Sequence, residues 1–307
     1  MASAVLELKQ VSKFYGDYPA VQDLSFSVPA GCLFGFLGPN GAGKTTSLRM
    51  ILDILRPTSG SITVLGEASA LKVRDRLGYL PEEKGLYKKM KAWAVIAYFA
   101  TLKGVPAAPA KRRAFELLEQ HGLGQFAEAR TEALSKGMSQ KVQVLASIAH
   151  DPELIILDEP FSGLDPVNQA VLEELILGLK ARGRTVIFST HVMQHAERLC
   201  DQLLVLARGR KCFEGSVEDA RRVLTPRVHL KATVDLAPLR TLPAVAAVQQ
   251  TSPGEWTVTL HPGADPQGVL AGCFSLGLPL TSFQATQPSL HDVFVHLVGN
   301  EAREAGR

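Results

Sequence analysis

A chain of 307 residues is long enough for one large domain and a small one. With 46% hydrophobic and 21% charged residues it should build a packed core rather than stay disordered, and a net charge of +3 is too small to single out nucleic acid or an anionic membrane as a partner. Its four cysteines, Cys32, Cys200, Cys212 and Cys273, form no C-x-x-C and fit reduced cytosolic thiols rather than a disulfide framework or a zinc site.

Residues 1–9 have neither a basic n-region nor a long apolar stretch, so no secretion signal is expected. Residues 5–8, 24–28 and 61–66 carry strand patterning. Between them the apolar run Leu33–Leu37 leads into Gly38-Pro39-Asn40-Gly41-Ala42-Gly43-Lys44-Thr45-Thr46 and a helix-like segment over 45–55. This is a full G-x-x-x-x-G-K-T loop in the strand–loop–helix context that a phosphate-binding loop requires. The glycines let successive backbone N–H groups face phosphate oxygens, and the following helix adds the positive end of its dipole. From such a loop Lys44 reaches the β- and γ-phosphates, Thr45 ligates Mg²⁺ and Thr46 hydrogen-bonds the α-phosphate. The alternative is a glycine-rich turn with a chance lysine.

Residues 84–150 turn helical, including 112–120 with Phe115, Leu117 and Leu118 apolar. The longest membrane-like stretch, Ala92–Leu102, falls far short of the ~20 apolar residues of a spanning helix. Lys88-Lys89-Met90-Lys91 beside Trp93 reads as a solvated helix start. Leu134-Ser135-Lys136-Gly137-Met138-Ser139-Gln140-Lys141-Val142 opens a helix-like segment over 139–149, with Ser135 and nearby N–H groups as a second anion site. Next, Leu154-Ile155-Ile156-Leu157-Asp158-Glu159 is a buried-strand pattern ending in two acids. Adjacent acids at a strand end are usually only solvated. Paired with a phosphate loop, Asp158 is placed to hold Mg²⁺ and Glu159 to polarise an attacking water.

A helix over 167–182, a strand Thr185–Thr190 ending at His191, a helix near 195–200 and a strand over 202–206 follow, then a hairpin through Arg208-Gly209-Arg210. His191 and His195 have the spacing of zinc ligands on a helix, but Val192 stands where H-E-x-x-H has its glutamate and no further ligand cluster accompanies them. Past Leu224-Thr225-Pro226 the texture changes. Val228, Leu230, Ala232 and Val234 alternate as one strand, Trp256-Thr257-Val258-Thr259-Leu260 as another after a Pro253-Gly254 turn, and Ser289 caps an amphipathic helix over 290–297.

The segment at 134–142 resembles the signature of ABC ATPase nucleotide-binding domains, L-S-G-G-Q followed by a second glutamine and a basic residue. Leu134, Ser135, Gly137 and Gln140 match, while Lys136 and Met138 depart from it. The remaining landmarks fall in family order. The resemblance implies that Tyr15 stacks on adenine, with Phe14 as its alternative, that Ser162-Gly163-Leu164-Asp165 is the loop linking two active sites, and that His191 is the switch histidine contacting the γ-phosphate. The family's usual glutamine after Gly78-Tyr79-Leu80-Pro81 is here Glu82, an oxygen ligand that the resemblance makes a Mg²⁺ or water contact. Leu80-Pro81-Glu82-Glu83-Lys84-Gly85-Leu86-Tyr87 is similar to one branch of bacterial ABC exporter ATPases, which includes sodium- and drug-efflux systems.

The expected fold is therefore α/β, a P-loop NTPase core of ABC type: a mixed sheet, an antiparallel β subdomain and a helical subdomain, with a small C-terminal α/β domain. Its expected domains are 1–225 for ATP binding (helical subdomain 84–150), 226–299 as an accessory domain and 300–307 as a tail. The resemblance further implies an ATPase with ATP and Mg²⁺ as cofactors, and a head-to-tail dimer, as a homodimer, in which one protomer's Gly38–Thr46 loop faces the other's Ser135 and Gly137. Its partners would be integral-membrane permease subunits and not nucleic acid. The chain would be cytoplasmic, held to the inner face of the cell membrane by the permease, and would power export of a substrate. Two rival readings fit the sequence less well. Ribosome or nucleic-acid ATPases usually carry two cassettes or long insertions, which are not seen here. An ATP sensor without turnover sits poorly with Glu159 and His191 both present.

Overall fold

In a computed structural model, the structure describes residues 4–83, 85, 87–261 and 263–304, without the side chains of Thr286 and 300–304. Lys84 and Leu86 of the branch-like phrase, and Met1 to Ser3 and 305–307 of the terminal segments, lie outside the described residues. The chain divides into two compact units, Met1–Glu214 and Gly215–Arg307.

In the first unit, β1 (Ala4–Tyr15) pairs antiparallel with β2 (Tyr18–Pro29) across a two-residue turn, opposing Tyr15 to Tyr18. After β3 (Leu33–Leu37) and α1 (Lys44–Ile51), β4 (Ser59–Val64) adds to the other edge of β1, making a three-stranded antiparallel sheet. Helix α1 stops earlier than the apolar pattern of 45–55 suggests. Asp53 takes φ 57°, and the N–H groups of Ile54 and Leu55 fold back onto the Arg49 carbonyl. Then come β5 (Leu77–Leu80), α2 (Ala92–Leu102), α3 (Ala107–Gln120), α4 (Lys136–Ile148), β6 (Leu154–Leu157), α5 (Pro166–Ala181), β7 (Thr185–Thr190), α6 (Met193–Leu199), β8 (Gln202–Ala207) and β9 (Arg210–Gly215). Arg208 and Gly209, at φ 50° and 77°, form the tight turn between β8 and β9.

The second sheet has the order β5-β6-β7-β3-β8-β9. The pairs β5/β6, β6/β7, β7/β3 and β3/β8 are parallel, and these strands are mostly apolar because both faces are covered. Alternation divides them cleanly. Phe34, Phe36, Leu154, Ile156 and Ile187 enter the core shared with the antiparallel sheet and α1, while Leu33, Ile155, Leu157, Val186 and Phe188 enter the core shared with α2 to α5. Burying a side chain such as Phe34, Phe36 or Phe188 completely is worth about 1.5–3 kcal/mol. The register aligns the strand ends: Leu80 lies beside Leu157, and Leu37 beside Thr190. Consequently the residues that follow β3, β5, β6 and β7 emerge together at one carboxyl edge, where open α/β sheets bind ligands. These are Gly38, Pro81-Glu82, Asp158-Glu159 and His191.

The second unit opens with α7 (Val217–Arg221), closed by a Ser216–Asp219 capping box. Strands β10 (Arg227–Lys231), β11 (Val245–Ser252) and β12 (Glu255–Leu260), helix α8 (Pro266–Ser275), β13 (Ser282–Thr286) and α9 (Leu290–Glu304) complete it. The antiparallel order β11-β12-β10-β13, with α8 crossing between β12 and β13, is the split βαβ arrangement. Its core is built from Val228, Leu230, Val248, Val258, Leu260, Val269 and Cys273. Strand β10 ends at Lys231, short of the Val234 that its alternation suggested. Ala232 instead donates to the carbonyl of Gly254 in the β11–β12 turn, at 2.9 Å. Helix α9 begins after Ser289 as its sequence predicts, and runs on to Glu304 through residues read as tail.

Candidate nucleotide site and hydrolytic cluster

The loop after β3 is shaped by contacts that admit only small residues. A Cβ on Gly38 would lie 2.6 Å from the Leu206 carbonyl, and one on Gly43, at φ 99°, would lie 2.6 Å from the Ala20 carbonyl. Gly41 also has positive φ, 79°. The chain therefore curls round the α1 N-terminus with its N–H groups inward. Lys44 is buried there. Its Nζ donates to the Gly38 carbonyl at 2.8 Å and to the Pro39 carbonyl at 3.3 Å, and lies 3.4 Å from Glu159 Oε1.

A cavity of about 350 Å³ lies over this loop. Its walls include Pro39, Asn40, Gly41, Ala42, Gly43, Lys44, Thr45 and Thr46 from the loop, with Tyr15, Glu82 and Glu159 facing them. Tyr15 is the last residue of β1 rather than a residue beyond that strand, and it rather than Phe14 lines the cavity. Tyr18 and Ala20 line it too, and sequence reasoning passed over both. The signal was the Tyr15-Gly16-Asp17-Tyr18 turn, which carries two aromatic rings to one place.

Behind the loop, Asp158 and Glu159 are held by Ser189 of β7. The Ser189 hydroxyl accepts from the Glu159 N–H at 2.8 Å and donates to Asp158 Oδ1 at 2.6 Å. A serine within the apolar strand Thr185–Thr190 was the visible clue to this role. Glu159 sits at φ 47°, a left-handed conformation that costs a non-glycine residue about 1–2 kcal/mol and that these anchors maintain. His191 Nδ1 lies 3.0 Å from Glu159 Oε2, so the carboxylate is gripped between an imidazole and the Lys44 ammonium.

Asp158 Oδ2 and Glu159 Oε1 are buried without hydrogen-bond donors. Burial is the main force pushing the Asp158 carboxyl above its ordinary range, opposed by the Ser189 hydroxyl that donates to it and by the nearby Thr45 hydroxyl. Bare carboxylate oxygens beside a threonine hydroxyl are a hard-oxygen donor set, which fits Mg²⁺. From this we expect Asp158→Asn to raise the melting temperature of the nucleotide-free protein by a few degrees, because it removes a buried charge that also repels Glu159. The same change should abolish the tightening of ATP binding by Mg²⁺. Thermal melts with and without Mg·ATP check both halves, and an unchanged or lower apo melting temperature would contradict the first.

The signature residues are not brought to this cavity. Ser135 caps α4, accepting from the Met138 N–H at 3.2 Å, so the helix begins at Lys136 rather than near 139. A side chain on Gly137 would collide with Asn168, and one on Gly163 with the Lys136 ammonium. Gly137 thus lies against the start of α5. Of the two histidines with zinc-like spacing, His195 is committed to buried Glu173, at 2.9 Å, and its ring stacks on Phe161.

Comparison with known proteins decides the family. The family described as ABC transporter matches residues 21–162, and the C-terminal domain family of DrrA1-3-like ATP-binding proteins matches 215–298. An uncharacterized ABC transporter ATP-binding protein of Bacillus subtilis, YhaQ, is 38% identical over 96% of this chain and 99% of its own. The chain belongs to the ATP-binding subunits of ABC transporters. A second relative of this ABC subunit is the Nod factor export ATP-binding protein I of Ralstonia nicotianae, 36% identical over 99% of this chain and 96% of its own. Among solved structures, the ATP-binding cassette MJ0796, a dimer in a post-hydrolysis state with ADP and Pi, superposes with a TM-score of 0.64. It is 24% identical and covers 69% of the ABC subunit and 98% of its own chain, a likeness of fold. The ABC subunit is accordingly a nucleotide-binding ATPase, and among its described residues no helix is long and apolar enough to cross a membrane.

Proposed function

We propose that this ATPase powers export of a substrate through separate integral-membrane subunits, working as a head-to-tail homodimer on the inner face of the cell membrane. One observation carries the reading: the chain assembles one half of a hydrolytic site and holds the other half elsewhere. Lys44, Thr45, Asp158, Glu159 and His191 cluster at one sheet edge, whereas Ser135 and Gly137 lie outside that cavity at the start of α4. A second protomer turned by a two-fold axis supplies the missing face with the same residues. The dimeric cassette MJ0796 and the Nod factor export relative support the assembly and the direction of transport.

In the closed dimer Tyr15 stacks on adenine, the loop from Gly38 to Thr46 donates to the phosphates, and Lys44 binds the β- and γ-phosphates. Bound Mg²⁺, held by Thr45, Asp158 and Glu82, would neutralise phosphate charge. Glu159 takes the proton of the attacking water, while His191, already 3.0 Å from that carboxylate, fixes its direction and reaches the γ-phosphate. The partner's signature face, Ser135 with Gly137, contacts ATP but loses its γ-phosphate contact after hydrolysis. Force comes from that difference in affinity between the ATP and ADP states. The helical subdomain delivers it to the membrane subunits, which select the cargo, and the C-terminal unit is an accessory domain.

The test is to trap tagged Glu159→Gln protein with Mg·ATP and recover it from gently solubilised membranes of the producing cell. A stoichiometric multi-spanning protein and a dimeric ATPase are expected. Recovery with ribosomes or nucleic acid and no membrane protein would overturn the export reading.

A further inference from the structure

The C-terminal unit contains a hollow of about 570 Å³ between β10 and α9. On β10, Val228 and Leu230 point into the core, so Arg227 and His229 lie on the opposite face. On α9, His291 and Val295 stand one turn apart and His296 follows them, and all three line the same hollow. Three of the chain's eight histidines and an arginine thus converge on one concavity.

One acid lies within reach. Asp292 lines the hollow, but its Oδ2 accepts from the Ser289 N–H at 3.0 Å and the Ser289 hydroxyl at 2.6 Å, closing the α9 capping box. Those bonds, and after them the nearby His291 and Arg227, hold its carboxyl below the usual carboxylate range. Arg227 makes no ion pair within 4.0 Å among the described residues. His229 has one ring nitrogen tied to Thr257 of β12 at 3.1 Å, which fixes the ring and leaves the other nitrogen for a ligand. Leu224 and Val295 add an apolar wall beside Arg227 and the imidazoles.

We propose that this hollow is a binding site for a small organic anion, an oxyanion head (phosphate or carboxylate) on a short apolar body. The head is taken by Arg227 and the imidazoles of His229 and His291, with His296 lining the hollow beside them, and the body lies on Leu224 and Val295. Guanidinium suits either head through its planar fork of donors, and its bonds to an oxyanion are charge-assisted. The site is separate from the nucleotide loop and does not rest on the export reading.

The test uses the full chain carrying Lys44→Ala, so that the phosphate loop does not compete for the probe, with histidines labelled by ¹⁵N. Phenyl phosphate, benzoate and inorganic phosphate are titrated in turn. We expect phenyl phosphate or benzoate to shift the imidazole signals of His229, His291 and His296 saturably at one equivalent, leaving the other histidines still. Which of the two binds more tightly identifies the head. Arg227→Gln, an exposed change checked by an unaltered thermal melt, should weaken binding about tenfold or more. The proposal is overturned by shifts that rise linearly without saturation, or by saturation that survives Arg227→Gln combined with His291→Gln. Inorganic phosphate binding as tightly as the better organic probe would overturn the organic class.

Discussion

Glu159→Gln is expected to lower ATP turnover about 10²–10⁴-fold, the range for losing a general base, while ATP affinity is kept. The substitution preserves length and leaves the Glu159 N–H bonded to Ser189, so the left-handed backbone at φ 47° remains anchored. What it removes is the capacity to take a proton from water beside His191, which stands 3.0 Å from the carboxylate. Binding should persist because Lys44 keeps its carbonyl acceptors on Gly38 and Pro39. Losing the competing carboxylate at 3.4 Å leaves its ammonium, if anything, more available to phosphate. A phosphate-release assay beside a nucleotide titration separates the two quantities. Turnover near the wild-type rate would remove Glu159 from its role, and a parallel loss of affinity would mean that the change had disturbed the loop instead.

The contrast between what the sequence disclosed and what it hid has a physical basis. The loop from Gly38 to Thr46 was legible because its backbone tolerates few residue types: carbonyls from Leu206 and Ala20 stand where side chains at Gly38 and Gly43 would go. The parallel strands were legible because a sheet covered on both faces must be apolar at every position, as in Leu33–Leu37 and Leu154–Leu157. Ser189 was harder, since its importance comes from the alignment of β7 beside β6, which local pattern does not encode. Tyr18 gained its place through the pairing of β1 with β2, a register rather than a motif. The C-terminal unit was read only as a small α/β domain. Strand β11, Val-Ala-Ala-Val-Gln-Gln-Thr-Ser, buries only Val245 and Val248, spaced by three, so it lacks strict strand alternation. Helix α8 carries two glycines and little amphipathic signal, and β13 is five residues long.

Lys44→Ala should weaken ATP binding about 100-fold or more, because the two charge-assisted contacts to the β- and γ-phosphates proposed for it, each worth about 1.5–3 kcal/mol, would disappear together. It should also destabilise the nucleotide-free protein, which distinguishes this lysine from one that merely points at solvent. Lys44 and Glu159 are buried together at 3.4 Å, with side chains 7% and 8% exposed. Removing one partner of a buried pair typically costs about 3–5 kcal/mol, since the other charge is left in a poorly solvated place. The unpartnered Glu159 Oε1 would then have lost its neighbouring cation. The double change Lys44→Ala with Glu159→Gln should recover much of that stability and none of the affinity, giving a coupling energy in a double-mutant cycle. Urea unfolding of the four proteins measures the first quantity and calorimetric titration with ATP the second. Wild-type affinity in Lys44→Ala would contradict the loop assignment. Full additivity in the unfolding cycle would mean that Lys44 and Glu159 do not hold each other in the empty site. With coupling present, phosphate must draw the ammonium from the carboxylate as it binds, so substrate arrival is what frees Glu159 to meet its water.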